Sequence, residues 1–243
     1  MKRFAVLLVI LLLASPVWGV NLKLMSDFPS GGSGGGFGGG GVSYDFRDEF
    51  STDLAAGSVH GTLSTSGHTR TVVDTENKLS IANGALTFAG GKASPVWSDP
   101  AIWYPTTPRV AGKMLIGNVT LSSSANKSMM FGYAAAAGVG VSVAGYFVYN
   151  TDLNSYSGPY LNIDTVALGT NWYPTIILRS TGAFLMEKKG TGAFTLLYPH
   201  STYNTANVFP TIQSYDEGFT SSFIRIPSQK FLPVPLLSTR FGS

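Results

Sequence analysis

From residue 42 onward, apolar and polar positions alternate with a period of two, in short runs separated by turn residues. Lys78-Leu79-Ser80-Ile81-Ala82 and Ala85-Leu86-Thr87-Phe88-Ala89 are two such runs, joined by Asn83-Gly84. Asn-Gly in that setting predicts a hairpin, because a type I′ turn needs positive φ at both central residues. The same alternation predicts strands at 111–121, 127–136, 145–150, 160–164, 173–179 and 219–226. A second hairpin pairs 182–188 with 193–198 across Lys189-Gly190-Thr191-Gly192. Helical periodicity is nearly absent. The alanine run at 134–137 is bracketed by Gly132 and Gly138, and glycine disfavours helix by ~1 kcal/mol relative to alanine. Many short strands in one block predict an all-β fold, a two-sheet antiparallel jelly-roll sandwich.

The front of the chain breaks this pattern. Lys2 and Arg3 precede an unbroken apolar run at 4–14, and Val17 and Gly19 then sit where a signal peptidase accepts small side chains. The run is shorter than the ~20 residues that span a bilayer, so a cleaved signal peptide is expected at 1–19. Residues 20–41 contain a glycine run with almost nothing to bury, which predicts a flexible linker. The sandwich domain is expected at 42–227, and a Pro-spaced tail at 228–243, read as a frayed terminus or the start of a second module. This organisation implies a secreted or cell-surface protein, with no membrane span once the signal is removed.

Composition sharpens the picture. The chain has 16 Lys+Arg against 13 Asp+Glu, and removing Lys2 and Arg3 leaves the mature part near neutral. That balance argues against a nucleic-acid partner, which requires a clustered basic face. There is no cysteine, so stability must come from a buried core rather than disulfides.

Candidate chemistry is sparse. Asp74 and Glu76 share a strand face at i, i+2, yet lie in a polar run beside a hairpin, where a solvated edge is the simpler reading. His60, His68 and His200 lack carboxylates at ligand spacing. No cofactor is expected apart from a structural Ca²⁺, for which Asp152 and Asn154 form the best oxygen cluster, with an Asx-type turn as the competing explanation. Trp97, Trp103, Tyr104, Tyr149, Trp172 and Tyr173 fall near strand ends and are the candidate ligand-binding aromatics, since sugar rings stack on exposed aromatic faces. Packing in the core is the alternative for each of them. Asn118-Val119-Thr120 and Asn126-Lys127-Ser128 fit the N-glycosylation pattern.

Several segments resemble a known family. They are the 74–86 hairpin, Ile176-Ile177-Leu178-Arg179-Ser180-Thr181-Gly182-Ala183-Phe184-Leu185 with Phe194-Thr195-Leu196-Leu197, and the closing Phe223-Ile224-Arg225-Ile226-Pro227. In strand order and turn placement they are similar to concanavalin A-like lectin/glucanase domains, the LamG-like modules of secreted bacterial and phage surface proteins. The resemblance implies a concanavalin A-like sandwich that binds carbohydrate or a surface protein. Laminarinase-type relatives carry E-x-D-x-x-E on one strand, and that motif is absent here. The expectation is therefore a non-enzymatic, lectin-like module with no catalytic residues. The alternatives are a structural or adhesive unit of a surface or virion assembly and a divergent glycoside hydrolase.

Overall fold

The structure is a computed structural model describing residues 42–96, 99–107, 110–122, 128–135, 145–156, 161–180, 182–200, 208–216 and 218–230. The expected signal peptide, glycine-rich linker, Trp97, Asn126 and the tail beyond Lys230 lie outside these residues.

The described elements are all strands. In chain order they are β1 Tyr44–Asp48, β2 Thr71–Val73, β3 Leu79–Ala82, β4 Ala85–Phe88, β5 Ala101–Trp103, β6 Met114–Leu121, β7 Ser128–Ala134 and β8 Gly145–Tyr149. They continue with β9 Asp152–Tyr156, β10 Leu161–Thr165, β11 Trp172–Leu178, β12 Ala183–Lys189, β13 Thr195–His200, β14 Phe209–Ser214 and β15 Phe219–Pro227. Two antiparallel sheets form a sandwich. The first runs β13-β12-β11-β6-β15-β4-β3, with β1 also paired to β15. The second runs β10-β9-β8-β7-β14-β5-β2. Strand β15 carries both β4 and β1 along one edge, β4 against Phe219–Ser221 and β1 against Ile224–Pro227.

The predicted hairpin at Asn83-Gly84 is present, with φ of 53° and 73° at the two turn residues. Alternation then sorts the side chains. On β11 and β12 the inward set is Trp172, Ile176, Leu178, Ala183 and Leu185, packed into the core between the sheets. Tyr173, Ile177, Phe184 and Met186 point the other way, into a second apolar cluster on the outer side of the first sheet. Between the sheets the backbone of Gly117 approaches Phe131 so closely that an added Cβ would lie 2.6 Å from its ring.

Sequence pattern missed some strands for identifiable reasons. Strand β14 contains Pro210, which lowers strand expectation, yet β14 lies between β7 and β5. Residues 152–154 are expected in a loop by their polar side chains. They instead form β9, because a two-residue turn at Asn150-Thr151 sets Tyr149 opposite Asp152 and the ladder to β8 fixes the rest.

Two sheet edges meet. Strand β10 ends the second sheet and β13 ends the first, and these two strands lie in contact along one side of the sandwich. The inward faces of β10, β11 and β12 meet there.

Candidate functional site: a carboxyl pair at the seam of the sheets

Strand β12 points Ala183, Leu185, Glu187 and Lys189 inward in turn, so an apolar row ends in an acid and a base. Glu187 is buried, with its side chain only 4% exposed, while Lys189 reaches the mouth of the seam at 35%. The hairpin register sets Trp172 opposite Lys189, which brings the indole beside Glu187. The indole Nε1 donates to Oε2 of Glu187 at 2.8 Å.

The partner carboxylate comes from the other sheet. Asn162 pairs with Asn154 and Asp164 pairs with Leu153, so Ile163 is an extra residue, a β-bulge in β10. Without the bulge, strict alternation would turn Asp164 away from the core. With it, Asp164 faces inward. Lys189 Nζ lies 2.8 Å from Asp164 Oδ2 and 2.8 Å from Glu187 Oε1. The two carboxyls also hydrogen-bond each other, and the Thr165 N–H donates to Asp164 Oδ1 at 2.7 Å.

The electrostatics separate the pair. Burial pushes Glu187 up to about 6, and the adjacent Asp164 adds to that, against Lys189 and the indole N–H. Burial also acts upward on Asp164, but hydrogen bonds from Glu187, Lys189 and the Thr165 N–H outweigh it and hold this carboxyl below its ordinary value. Lys189 is held above its ordinary value by the two acids, against the opposing effect of burial. The site therefore has one acid that keeps its proton into weakly acidic solution and one that has lost it, which is the division of labour of acid–base catalysis.

The residues anticipated from sequence are distributed differently. Trp172 and Tyr104 are fully buried and Tyr173 is 4% exposed, so none offers an open stacking face. Trp172 and Tyr173 lie on the inward and the covered face of β11, and Tyr104 is buried just past the end of β5, which corrects that expectation. Tyr104 donates its hydroxyl to Asp48, itself buried in a bidentate pair with Arg70. The Tyr173 ring is covered by Lys188, whose Nζ is 5.3 Å from the centroid. Trp103 is half-buried, with its indole N–H given to Ala134 O, and Tyr149 is 43% exposed beside Phe147.

Asp152 and Asn154 do not share a loop. They project from the outer side of β9, and the Asn154 amide donates to Asp152 O and Phe147 O. Among the described residues no group of three or more His, Asp or Glu gathers as a metal site. Asp74 and Glu76 serve the backbone instead. Asp74 accepts from the amides of Lys78 and Leu79, and Glu76 from those of Ala93 and Ser94. Asn118 is 6% exposed and its amide donates to Ser222, which closes that glycosylation sequence.

Sequence reading therefore missed Asp164, Glu187 and Lys189 as a site. The available signal was an acid and a base at i, i+2 on the inward side of an apolar strand.

No family model and no curated protein matches the sequence. Solved structures do match in fold. An uncharacterised protein from Mycobacterium paratuberculosis aligns with a TM-score of 0.54 at 11% identity, over 75% of this chain and 100% of that one. A β-1,3-glucanase from Mycobacterium marinum aligns at 0.51 and 12% identity, over 75% and 98%. A glycosyl hydrolase family protein from Mycobacterium fortuitum aligns at 0.50 and 11% identity, over 76% and 100%. At such identity the likeness establishes the fold, the sandwich shared with glucanases. The expectation of a non-enzymatic, lectin-like module is corrected on this point, because the neighbours named for an activity are glycoside hydrolases. The missing E-x-D-x-x-E motif excludes one local spacing of carboxylates. It does not exclude a pair assembled from two sheets.

Proposed function

We propose that this chain is a divergent glycoside hydrolase, with Glu187 as general acid/base and Asp164 as nucleophile. The observation that carries the reading is the split carboxyl pair at the seam, Glu187 raised to about 6 and Asp164 lowered, beneath a mouth where Asp164 and Lys189 are about a third exposed. The fold shared with a β-1,3-glucanase supports a β-glucan as the first substrate to try.

The chemistry follows from the pair. Asp164 attacks the anomeric carbon and forms a glycosyl ester, and the leaving oxygen takes the proton of Glu187 as the glycosidic bond breaks. Glu187, now ionised, then removes a proton from water, which attacks the same carbon and releases Asp164. Both carboxylates approach one ammonium at 2.8 Å, so the two contacting oxygens can be no further apart than twice that distance. This bound lies below the ~6.5–9.5 Å of inverting enzymes, so a hydrolase built on this pair is expected to retain configuration, with the two carboxyls parting to the ~5–5.5 Å of retaining enzymes when a sugar enters.

The test is release of reducing ends from β-1,3-glucan by the purified chain. Activity should fall by ~10²–10⁴-fold in Glu187→Gln, as expected for loss of a general acid, and stay unchanged in Glu76→Gln. Wild-type activity should decline as pH rises through about 6, where Glu187 loses its proton. Hydrolysis that survives Glu187→Gln would remove Glu187 from the mechanism. Failure of the folded wild type on a panel of β-linked glycans would end the reading.

A further inference from the structure

Glu187 is held from two sides, and the two sides have different consequences. Its Oε1 faces Lys189, at 2.8 Å, and its Oε2 receives the Trp172 indole N–H, also at 2.8 Å. An indole N–H can only donate. The Lys189 ammonium is a donor only as well, so the two oxygens differ in what else they face. Oε1 lies on the side of Asp164, a carboxylate that can accept a proton and that hydrogen-bonds Glu187, whereas Oε2 meets the indole donor. When Glu187 is protonated, the proton therefore resides on Oε1 and Oε2 stays carbonyl-like. Oε1 is also the oxygen that faces Lys189, whose ammonium contacts Asp164 at the open mouth.

We propose that Trp172 is a positioning residue that fixes which oxygen of Glu187 carries the transferable proton. This rests on the hydrolase reading given above. The indole is itself held in place. Trp172 is fully buried, and Tyr146 of β8 packs edge-on against it, with ring centroids 5.4 Å apart and planes at 85°. The Tyr146 hydroxyl lies against the carbonyls of Thr175 and Met186, on the two strands that carry Trp172 and Glu187. The second sheet thus braces the indole across the core. The charged and titratable groups around Glu187 are Lys189 on β12, Asp164 on β10 and, beyond the indole, Tyr146 on β8.

Trp172→Phe keeps a ring in the core and removes the N–H. The expected result is a loss of kcat of about tenfold or more, with KM changed little, because the lost contact acts on the proton donor and not on substrate binding. The alkaline limb of the pH profile should move to higher pH, since an N–H that favours ionised Glu187 is gone. The same shift should appear in a direct NMR titration of the Glu187 side-chain carboxyl in the absence of substrate. That measurement stands even if no glycan is hydrolysed, so it separates this inference from the hydrolase reading. A midpoint unchanged in folded Trp172→Phe overturns the inference. If the variant does not fold, the wild type suffices. Its Trp172 indole N–H resonance should shift with the midpoint of Glu187, and a resonance that stays fixed through that range overturns the inference equally.

Discussion

Glu187 shows how much one side chain's surroundings can decide. An exposed glutamate on a strand edge would titrate at its ordinary 4.5 and carry no particular chemistry, whereas here burial and a neighbouring carboxyl move it to about 6. The shift also affects stability. A carboxyl whose value is raised on folding adds stability at acid pH that is lost as pH rises through its folded value. Between 4.5 and about 6, the chain should therefore lose up to ~2 kcal/mol from this group. Asp164, lowered by its partners, acts in the opposite sense, in a separate and more acid window. Thermal melting across this range should show the decline in the wild type and its disappearance in Glu187→Gln. A parallel pH dependence in both proteins would place the titrating group elsewhere. At this scale the sequence was informative about residue types and silent about environment. Trp172, Tyr104 and Tyr173 could be read as aromatics near strand ends, but whether each faced solvent depended on which side of its strand the sheet packed against.

At the level of elements, alternation and turn chemistry went far. The hairpins at Asn83-Gly84 and across Lys189-Gly190-Thr191-Gly192 were legible, as were the strands that became β6, β7, β8, β11 and β15. Irregularities were not. The bulge at Ile163 reverses the facing of Asp164, and a single polar residue in a short edge strand gives no sign of it in the pattern. Strand β14 was hidden by Pro210, and β9 by its run of Asp, Asn and Ser. Close contact between elements leaves a clearer signature. Gly117 sits where β6 faces Phe131 of β7 across the core, and an added methyl would meet the ring at 2.6 Å. Gly117→Ala is expected to cost ~1–3 kcal/mol through overpacking, read as a lowered Tm. An unchanged Tm would mean that the sheets can separate locally at no cost.

On the scale of the whole molecule, a Cys-free chain with low charge and abundant β formers points to the two-sheet sandwich that the structure has. The site did not follow, because its two acids come from different sheets and lie 23 residues apart in sequence, at Asp164 and Glu187. A motif confined to one strand can be searched for in sequence, whereas a pair closed by sheet packing becomes visible only once the sheets are stacked. Export belongs to this scale as well. Processing after Gly19 would give a mature chain beginning at Val20, which intact-mass measurement of protein recovered from the medium would show. Recovery with Met1 still attached would contradict that reading.

The central claim is a covalent division of labour between Asp164 and Glu187. A fluorinated β-glucoside with a good leaving group slows the second step and accumulates the glycosyl ester. Peptide mass mapping after incubation should find one added glycosyl unit on the peptide containing Asp164, and none in Asp164→Asn. An adduct on a different carboxylate, or no adduct from a chain that hydrolyses the parent glycoside, would contradict the account.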